Sequence, residues 1–199
     1  MNSSSPTFFI VPGFKQKATD KGFSWLVKYL KEHDFIVILV PITWDYMVMS
    51  DYIEEFKEYY KKHKTEVNYV LGFSYGAVIT FSSANELLPK KIFLCSLSPD
   101  FKEDVKFMKK WLQKLIGKNR LKDANLRSGR KIAKELKVPS VVLYGSKEGK
   151  QYPLLKNRCE ETTKLSRDSK LIVVPNSPHR ISNPEYIKAI QKEIDAISL

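Results

Sequence analysis

Residues 72–76, Gly-Phe-Ser-Tyr-Gly, are the part of the sequence whose residue types and spacing most directly indicate chemistry. They follow an apolar run at residues 69–71, and a G-x-S-x-G segment in this position is typical of a sharp turn from a strand into a helix. The serine of such a turn lies at its apex with a free hydroxyl, and the flanking glycines leave room for a strained backbone. We therefore predict that Ser74 is a nucleophile. The alternative is an ordinary strand-to-helix turn.

A serine hydroxyl is a weak nucleophile and needs a base within hydrogen-bond reach, for which histidine is the most common choice. The chain contains three histidines. His33 and His63 lie in charged, helix-like segments, whereas His179 follows the last predicted strand. We predict that His179 is the base and that the other two lie on the surface.

The base in turn needs a carboxylate to orient its ring, and two acids follow predicted strands. Glu148 comes shortly after the apolar segment 140–144, and Asp100 comes after the segment 91–97. Either acid taken alone is more often a solvated loop residue. We take Glu148 as the first candidate and Asp100 as the alternative acid.

Six short apolar runs alternate with helical patterns along the chain. The runs are at residues 8–11, 35–40, 68–71, 91–97, 140–144 and 171–174. They are nearly continuous rather than alternating, which is typical of parallel strands covered by helices on both faces. Helical patterns occur at residues 23–32, 51–63, 77–88 and 154–165 and after Pro184. This alternation predicts an α/β fold with a doubly wound, six-stranded, mostly parallel sheet and helices on both faces.

A sheet of this kind would bring two loops together if its strand order were 2-1-3-4-5-6. The loops after the first and third strands, at residues 11–14 and 72–76, would then flank the topological switch point, where ligands bind in such sheets. The architecture and the serine motif therefore indicate the same crevice, although they were identified independently.

Residues 99–137 carry much of the charge of the chain, with thirteen Lys or Arg against five Asp or Glu. Met108, Trp111 and Leu115 recur there at helical spacing between lysines, which predicts a basic amphipathic helix. We expect this segment to be a short helical cap-like insertion whose three apolar side chains line the substrate pocket. Its lysines would attract an anionic substrate or an anionic surface, or the helix would only close the core.

Several of these segments together resemble one known family. The Val-Pro-Gly-Phe segment 11–14, the strand ending at Val40-Pro41, the motif 72–76, Glu148 three residues after Gly145, and the late His179 are similar to small members of the α/β-hydrolase family from its third strand onward. The likeness covers nearly the whole length. The chain departs from the family pattern at three places, with Pro12-Gly13 for His-Gly, Glu for the more frequent Asp, and Ser177-Pro178-His179 for Gly-His.

This resemblance implies a function as well as a compact α/β-hydrolase fold. The order Ser74, Glu148, His179 matches the order of the family's catalytic triad. The family implies hydrolysis of an ester, thioester or amide with no cofactor. Within that range we expect a small-molecule carboxylic ester or thioester, cleaved through an acyl-enzyme intermediate without a metal. It also implies an oxyanion hole formed by the backbone N–H groups of Tyr75 and Phe14.

Length and composition limit the remaining possibilities. The 199 residues with 43% hydrophobic content fit one domain, residues 1–199, and no run approaches the ~18 apolar residues of a membrane span. Without a signal-peptide core near the N-terminus, a cytoplasmic location is expected. The basic segment lacks a nucleic-acid motif, so no specific nucleic acid is expected. The alternative functions are a peptidase or acyltransferase with the same triad, and a non-catalytic binding module recruited by the basic segment.

Overall fold

The computed structural model describes residues 5–45 and 47–198, which form one six-stranded sheet surrounded by helices. The strands are β1 (Thr7–Val11), β2 (Ile36–Leu39), β3 (Asn68–Phe73), β4 (Lys91–Cys95), β5 (Ser140–Gly145) and β6 (Ser169–Val174). All strand pairs are parallel, and the strand order is β2-β1-β3-β4-β5-β6. The predicted α/β architecture is confirmed, and the strand order is the one that places the loops after β1 and β3 side by side.

The helices between these strands vary widely in length. They are α1 (Lys21–Glu32), α2 (Met49–His63), α3 (Tyr75–Leu87), α4 (Lys102–Val105), α5 (Lys110–Ile116), α6 (Lys118–Ala124), α7 (Gly129–Glu135), α8 (Ser146–Gln151), α9 (Pro153–Leu165) and α10 (Pro184–Ser198). Among the described residues, no helix has both the length and the apolar character needed to cross a membrane.

The apolar runs of the strands supply two separate cores, one on each face of the sheet. Successive side chains of a strand point to opposite faces, so in β1 Phe9 and Val11 join one core while Phe8 and Ile10 join the other. Helices α2, α3, α7 and α9 cover the first core, and helices α1 and α10 cover the second. Every residue of β1, β3 and β5 is buried, which explains why these strands are continuously apolar.

The basic segment 99–137 contains four short helices, α4 to α7, so the prediction of one amphipathic helix that carries Met108, Trp111 and Leu115 is wrong. The chain leaves helical geometry after α4, and the Gln113 side chain then donates hydrogen bonds to the backbone oxygens of Val105 and Met108 at 3.3 and 2.9 Å. An uninterrupted helix would satisfy those two oxygens with its own N–H groups. Helix α7 packs against α3 and α9, and helix α6 packs against α2.

Candidate active site

Ser74 lies between the end of β3 and the start of α3, at the carboxyl edge of the sheet. Its backbone has φ 57° and ψ −117°, a conformation that non-glycine residues rarely adopt and that costs on the order of 1–3 kcal/mol. The Ser74 N–H donates to the backbone oxygen of Cys95 on the neighbouring strand at 2.8 Å, which holds the strained turn in place. The turn therefore presents the Ser74 hydroxyl at the strand end.

The two glycines of the motif are required by space. A Cβ atom at Gly72 would lie 2.2 Å from the backbone oxygen of Gly76, and a Cβ at Gly76 would lie 2.2 Å from that of Val11. Both obstructing atoms belong to the backbone and cannot move aside as a side chain can. The absence of a side chain at Gly76 lets the first turn of α3 lie against the end of β1.

Gly76→Ala is expected to lower the free energy of unfolding by about 3 kcal/mol or to prevent folding, because the new methyl group overlaps the Val11 carbonyl. Urea denaturation followed by tryptophan fluorescence measures the change. Gly22→Ala in α1 is the matched control, since a Cβ there meets no atom within 4 Å. An unfolding free energy equal to that of the wild type for Gly76→Ala would show that the turn has a different geometry.

His179 connects the serine to an acid. Its Nε2 lies 3.2 Å from Ser74 Oγ, and its Nδ1 is hydrogen-bonded to Glu148 Oε1. An ionised carboxylate only accepts hydrogen bonds, so Nδ1 carries the proton and the Nε2 lone pair faces the serine hydroxyl. The ring also contacts the Phe73 ring, with 4.9 Å between centroids. The histidine is thereby oriented by Glu148 on one side and by the end of β3 on the other.

Glu148 is fully buried, at 0% exposure, in the first turn of α8. Its second carboxylate oxygen, Oε2, accepts hydrogen bonds from the backbone N–H of Gly145 at 2.8 Å and from Ser96 Oγ at 3.0 Å. A buried carboxylate requires such partners. Its two oxygens therefore have separate partners, since Oε1 faces His179 and Oε2 faces two donors.

Ser96 was not identified from the sequence. The predicted strand 91–97 included it, whereas β4 ends at Cys95 and Ser96 adopts φ 57° just beyond it. This turn brings the Ser96 hydroxyl to Glu148 and to the Tyr186 hydroxyl, at 2.9 Å from the latter. The only signal in the sequence was a serine close to the end of a predicted strand.

The structure places Asp100, the alternative acid, away from His179. Its Oδ2 accepts from Arg127 at 2.9 Å, and no hydrogen bond joins it to His179 among the residues described. Burial raises the pKa of Asp100 to about 7, and the Arg127 guanidinium partly offsets this effect. His33 and His63 lie in or next to α1 and α2, and each ring bonds a backbone oxygen four residues earlier.

The backbone N–H groups of Phe14 and Tyr75 belong to the two loops that flank the switch point, after β1 and β3. Within residues 5–45 and 47–198, neither N–H donates to another protein group. Tyr75 is the first residue of α3, where N–H groups have no partner inside the helix and the helix dipole favours negative charge. The two side chains are in edge contact, with ring centroids 5.5 Å apart. These two donors are therefore available for a ligand.

A groove of about 940 Å³ is lined by Phe14 and Tyr75 and by residues of α5 and α6. Its size falls within the usual range for small-molecule sites, roughly 300–1,000 Å³. Leu115, 76% exposed, lines this groove, but Met108 and Trp111 do not. Met108 is buried and Trp111 is 62% exposed, and neither lines this groove; their assignment to the substrate pocket stays a prediction. The sequence analysis also missed Trp44 and Arg120, which line the groove.

Known proteins were compared at the levels of sequence and structure. No family model and no curated protein matches the sequence. Mouse alpha/beta hydrolase domain-containing protein 10 matches the structure with a TM-score of 0.83 at 12% identity, over 99% of this chain and 91% of that one. Est1E from Butyrivibrio proteoclasticus with bound ferulic acid matches with a TM-score of 0.79 at 12% identity, over 98% and 89% of the two chains. A Pyrococcus furiosus esterase matches with a TM-score of 0.72 at 14% identity, over 98% and 82%.

These structural matches extend over nearly the whole chain and most of each neighbour. Their identities are far too low to transfer an activity, but the shared architecture is clear. The parallel sheet order, the sharp serine turn after β3 and the structural matches lead to one conclusion: this chain has the α/β-hydrolase fold.

Proposed function

We propose that this protein is a serine hydrolase that cleaves a carboxylic ester or thioester through an acyl-enzyme intermediate. The observation that carries the proposal is the series of contacts from Ser74 Oγ to His179 Nε2, and from His179 Nδ1 to the buried Glu148 carboxylate. A nucleophile, a base and an acid that orients the base have this arrangement in serine hydrolases on unrelated folds.

In the first half of the reaction, Ser74 Oγ attacks the carbonyl carbon of the substrate while His179 Nε2 takes the hydroxyl proton. The carbonyl oxygen becomes an oxyanion, which accepts hydrogen bonds from the backbone N–H groups of Tyr75 and Phe14. Glu148 stabilises the imidazolium that forms. The C–O or C–S bond to the leaving group then breaks, and His179 donates its proton to the departing oxygen or sulfur.

In the second half, a water molecule takes the position of the leaving group. His179 removes a proton from this water as its oxygen attacks the acyl carbon, and the same two backbone donors stabilise the second oxyanion. The bond to Ser74 Oγ breaks, the serine recovers its proton from His179, and the carboxylic acid is released. Each proton is returned within the cycle, so the chemistry needs no cofactor.

The choice of ester or thioester as substrate rests on the groove and on the structural neighbours. The groove is lined by aromatic and aliphatic side chains next to the proposed oxyanion donors, which suits an acyl or aryl group. The Pyrococcus furiosus neighbour is an esterase by name, and the Est1E neighbour carries a bound ferulic acid. A peptidase or an acyltransferase would use the same three residues with a different leaving group or acceptor.

Partitioning of the acyl group tests the proposal. A p-nitrophenyl ester, a phenyl ester and a phenyl thioester of butyric acid all lose their leaving group before the common butyryl-enzyme forms. We therefore expect the ratio of methyl butyrate to butyric acid formed in dilute methanol to be identical for the three substrates. Product ratios that differ with the leaving group would contradict an acyl-enzyme mechanism. If the folded protein turned over none of the three, a non-catalytic binding module would be favoured.

A further inference from the structure

We propose that Arg120 binds an anionic group of the substrate, a carboxylate or a phosphate, so that the preferred substrates are negatively charged esters or thioesters. This inference rests on the proposed function and specifies its substrate class. It differs from the sequence-based expectation, which assigned this attraction to the lysines of the basic segment as a whole. The structure points instead to one side chain next to the site of reaction.

Arg120 lies in α6 and lines the groove together with Phe14 and Tyr75. Its guanidinium carbon is 5.3 Å from the centroid of the Phe14 ring, and that ring contacts Tyr75. Arg120 also lines a small hollow beside the groove, bounded by Phe14, Trp44 and Tyr75 among others. The volume of this hollow is about 20 Å³, which holds no more than about one water molecule. A substrate must therefore lie in the groove, with Arg120 beside it.

The guanidinium of Arg120 has unused donors. Two other partly or fully buried arginines have carboxylate partners: Arg127 pairs with Asp100 and Asp123, and Arg158 pairs with Asp104 and Glu161. Arg120 has no such ion pair within the part of the chain that the structure describes. Its Nε donates to the Met47 oxygen at 3.3 Å, and its guanidinium also hydrogen-bonds the Tyr52 hydroxyl. A guanidinium offers five N–H donors in a planar fork that fits a carboxylate or phosphate with two parallel hydrogen bonds. The N–H donors that do not bond Met47 or Tyr52 are left for a ligand.

The charges around the groove also favour an anion. Lys15, Lys118 and Arg120 line it against a single acid, Asp45. The Lys15 ammonium lies 5.5 Å from the same Phe14 ring, on which two cations therefore converge. The positive charge of Arg120 also acts on Tyr75. Burial raises the pKa of Tyr75, and the charge of Arg120 offsets part of this rise. Asp100, which also lines the hollow, forms its ion pair with Arg127.

A purely structural Arg120 would hold α6 against the Phe14 ring and would affect all substrates alike. An anion-binding Arg120 would act only on substrates that carry the charge. The distinguishing quantity is therefore the ratio of kcat/KM for two esters of similar size, p-nitrophenyl hydrogen glutarate with a terminal carboxylate and p-nitrophenyl pentanoate without one. A loss of binding in the ground state appears mainly in KM for the anionic ester.

We expect Arg120→Leu to lower this ratio about 10- to 100-fold, the usual effect of losing charge-assisted hydrogen bonds. The ratio for Arg120→Lys should lie between those of the wild type and Arg120→Leu, because lysine keeps the positive charge but lacks the planar fork of N–H donors. Lys122→Gln is the matched control: it removes one positive charge from an exposed position of the same helix and should leave the ratio within about twofold. An equal loss for both esters in Arg120→Leu, or an equal loss of the ratio in Lys122→Gln, would overturn the inference.

Direct binding separates the two kinds of anion and also separates this inference from the proposed function. Calorimetry with phenyl phosphate and with the monoanilide of glutaric acid, neither of which needs to be cleaved, compares the wild type with Arg120→Leu. At least one compound should bind the wild type more than about tenfold tighter than it binds Arg120→Leu. The compound with the larger difference shows whether the site prefers phosphate or carboxylate. If the neutral ester is hydrolysed but neither anion distinguishes the two proteins, the anion site is wrong and the hydrolase stands. If an anion binds through Arg120 but no ester is cleaved, the proposed reaction is wrong.

Discussion

Ser74→Ala is expected to abolish labelling by a fluorophosphonate and to lower kcat for ester hydrolysis by about 10⁴-fold or more. The substitution keeps the Cβ atom and removes only the hydroxyl oxygen, so the strained turn is unchanged and the nucleophile is lost. Within the described residues, Ser74 Oγ makes two hydrogen bonds, both at 3.2 Å, to Ser98 Oγ and His179 Nε2. We therefore expect the free energy of unfolding to change by less than about 1 kcal/mol.

Ser98→Ala is the matched control for this experiment. Its hydroxyl is the one closest to Ser74 Oγ, and it has no histidine partner in the described chain. We expect Ser98→Ala to keep fluorophosphonate labelling at the site, with at most a few-fold change in its rate. Undiminished labelling of a folded Ser74→Ala variant, or loss of labelling only in Ser98→Ala, would remove Ser74 from the proposed role.

Glu148→Gln is expected to lower kcat about 10³- to 10⁴-fold, although the new side chain has almost the same shape. Position Oε2 faces the fixed backbone N–H of Gly145 and therefore requires an acceptor, which places the amide oxygen there and the amide NH₂ opposite His179. His179 must then accept at Nδ1 and carry its proton on Nε2. In that tautomer the ring cannot take the proton of Ser74.

Asp100→Asn provides the comparison, because Asp100 was the alternative acid and pairs with Arg127 instead of His179. Its kcat for a neutral ester should stay within a few-fold of the wild type. Steady-state kinetics of both variants on p-nitrophenyl butyrate, with thermal unfolding to check that each is folded, measures the contrast. A larger loss of kcat in Asp100→Asn than in Glu148→Gln would move the acid to the end of β4.

The sequence predicts the nucleophile more directly than it predicts the acid. The serine motif is local: two glycines two residues from a serine satisfy a steric need that arises within five residues. The acid is not local, since Glu148 meets His179 from another strand end and is set apart from Asp100 only by its partners. Asp100 has an arginine next to it in space that lies 27 residues later in the chain.

The sequence by itself determined the parallel α/β architecture, because apolar runs and helical periodicity record which residues must be buried on each face. It also determined the position of the serine turn, whose glycines answer a local steric need. Only the tertiary structure decided which polar groups meet. Ser96 donates a hydrogen bond to Glu148, and Arg127 donates one to Asp100. Arg120 lies beside the groove without a carboxylate partner among the described residues. The tertiary structure also decided that the basic segment forms several short helices. Met108 and Trp111 therefore do not line the groove beside Phe14 and Tyr75. The physical reason for this difference is that burial of a helix or strand face produces a local pattern of apolar residues in the sequence. Pairing between polar groups instead depends on distances between residues that are far apart in the sequence.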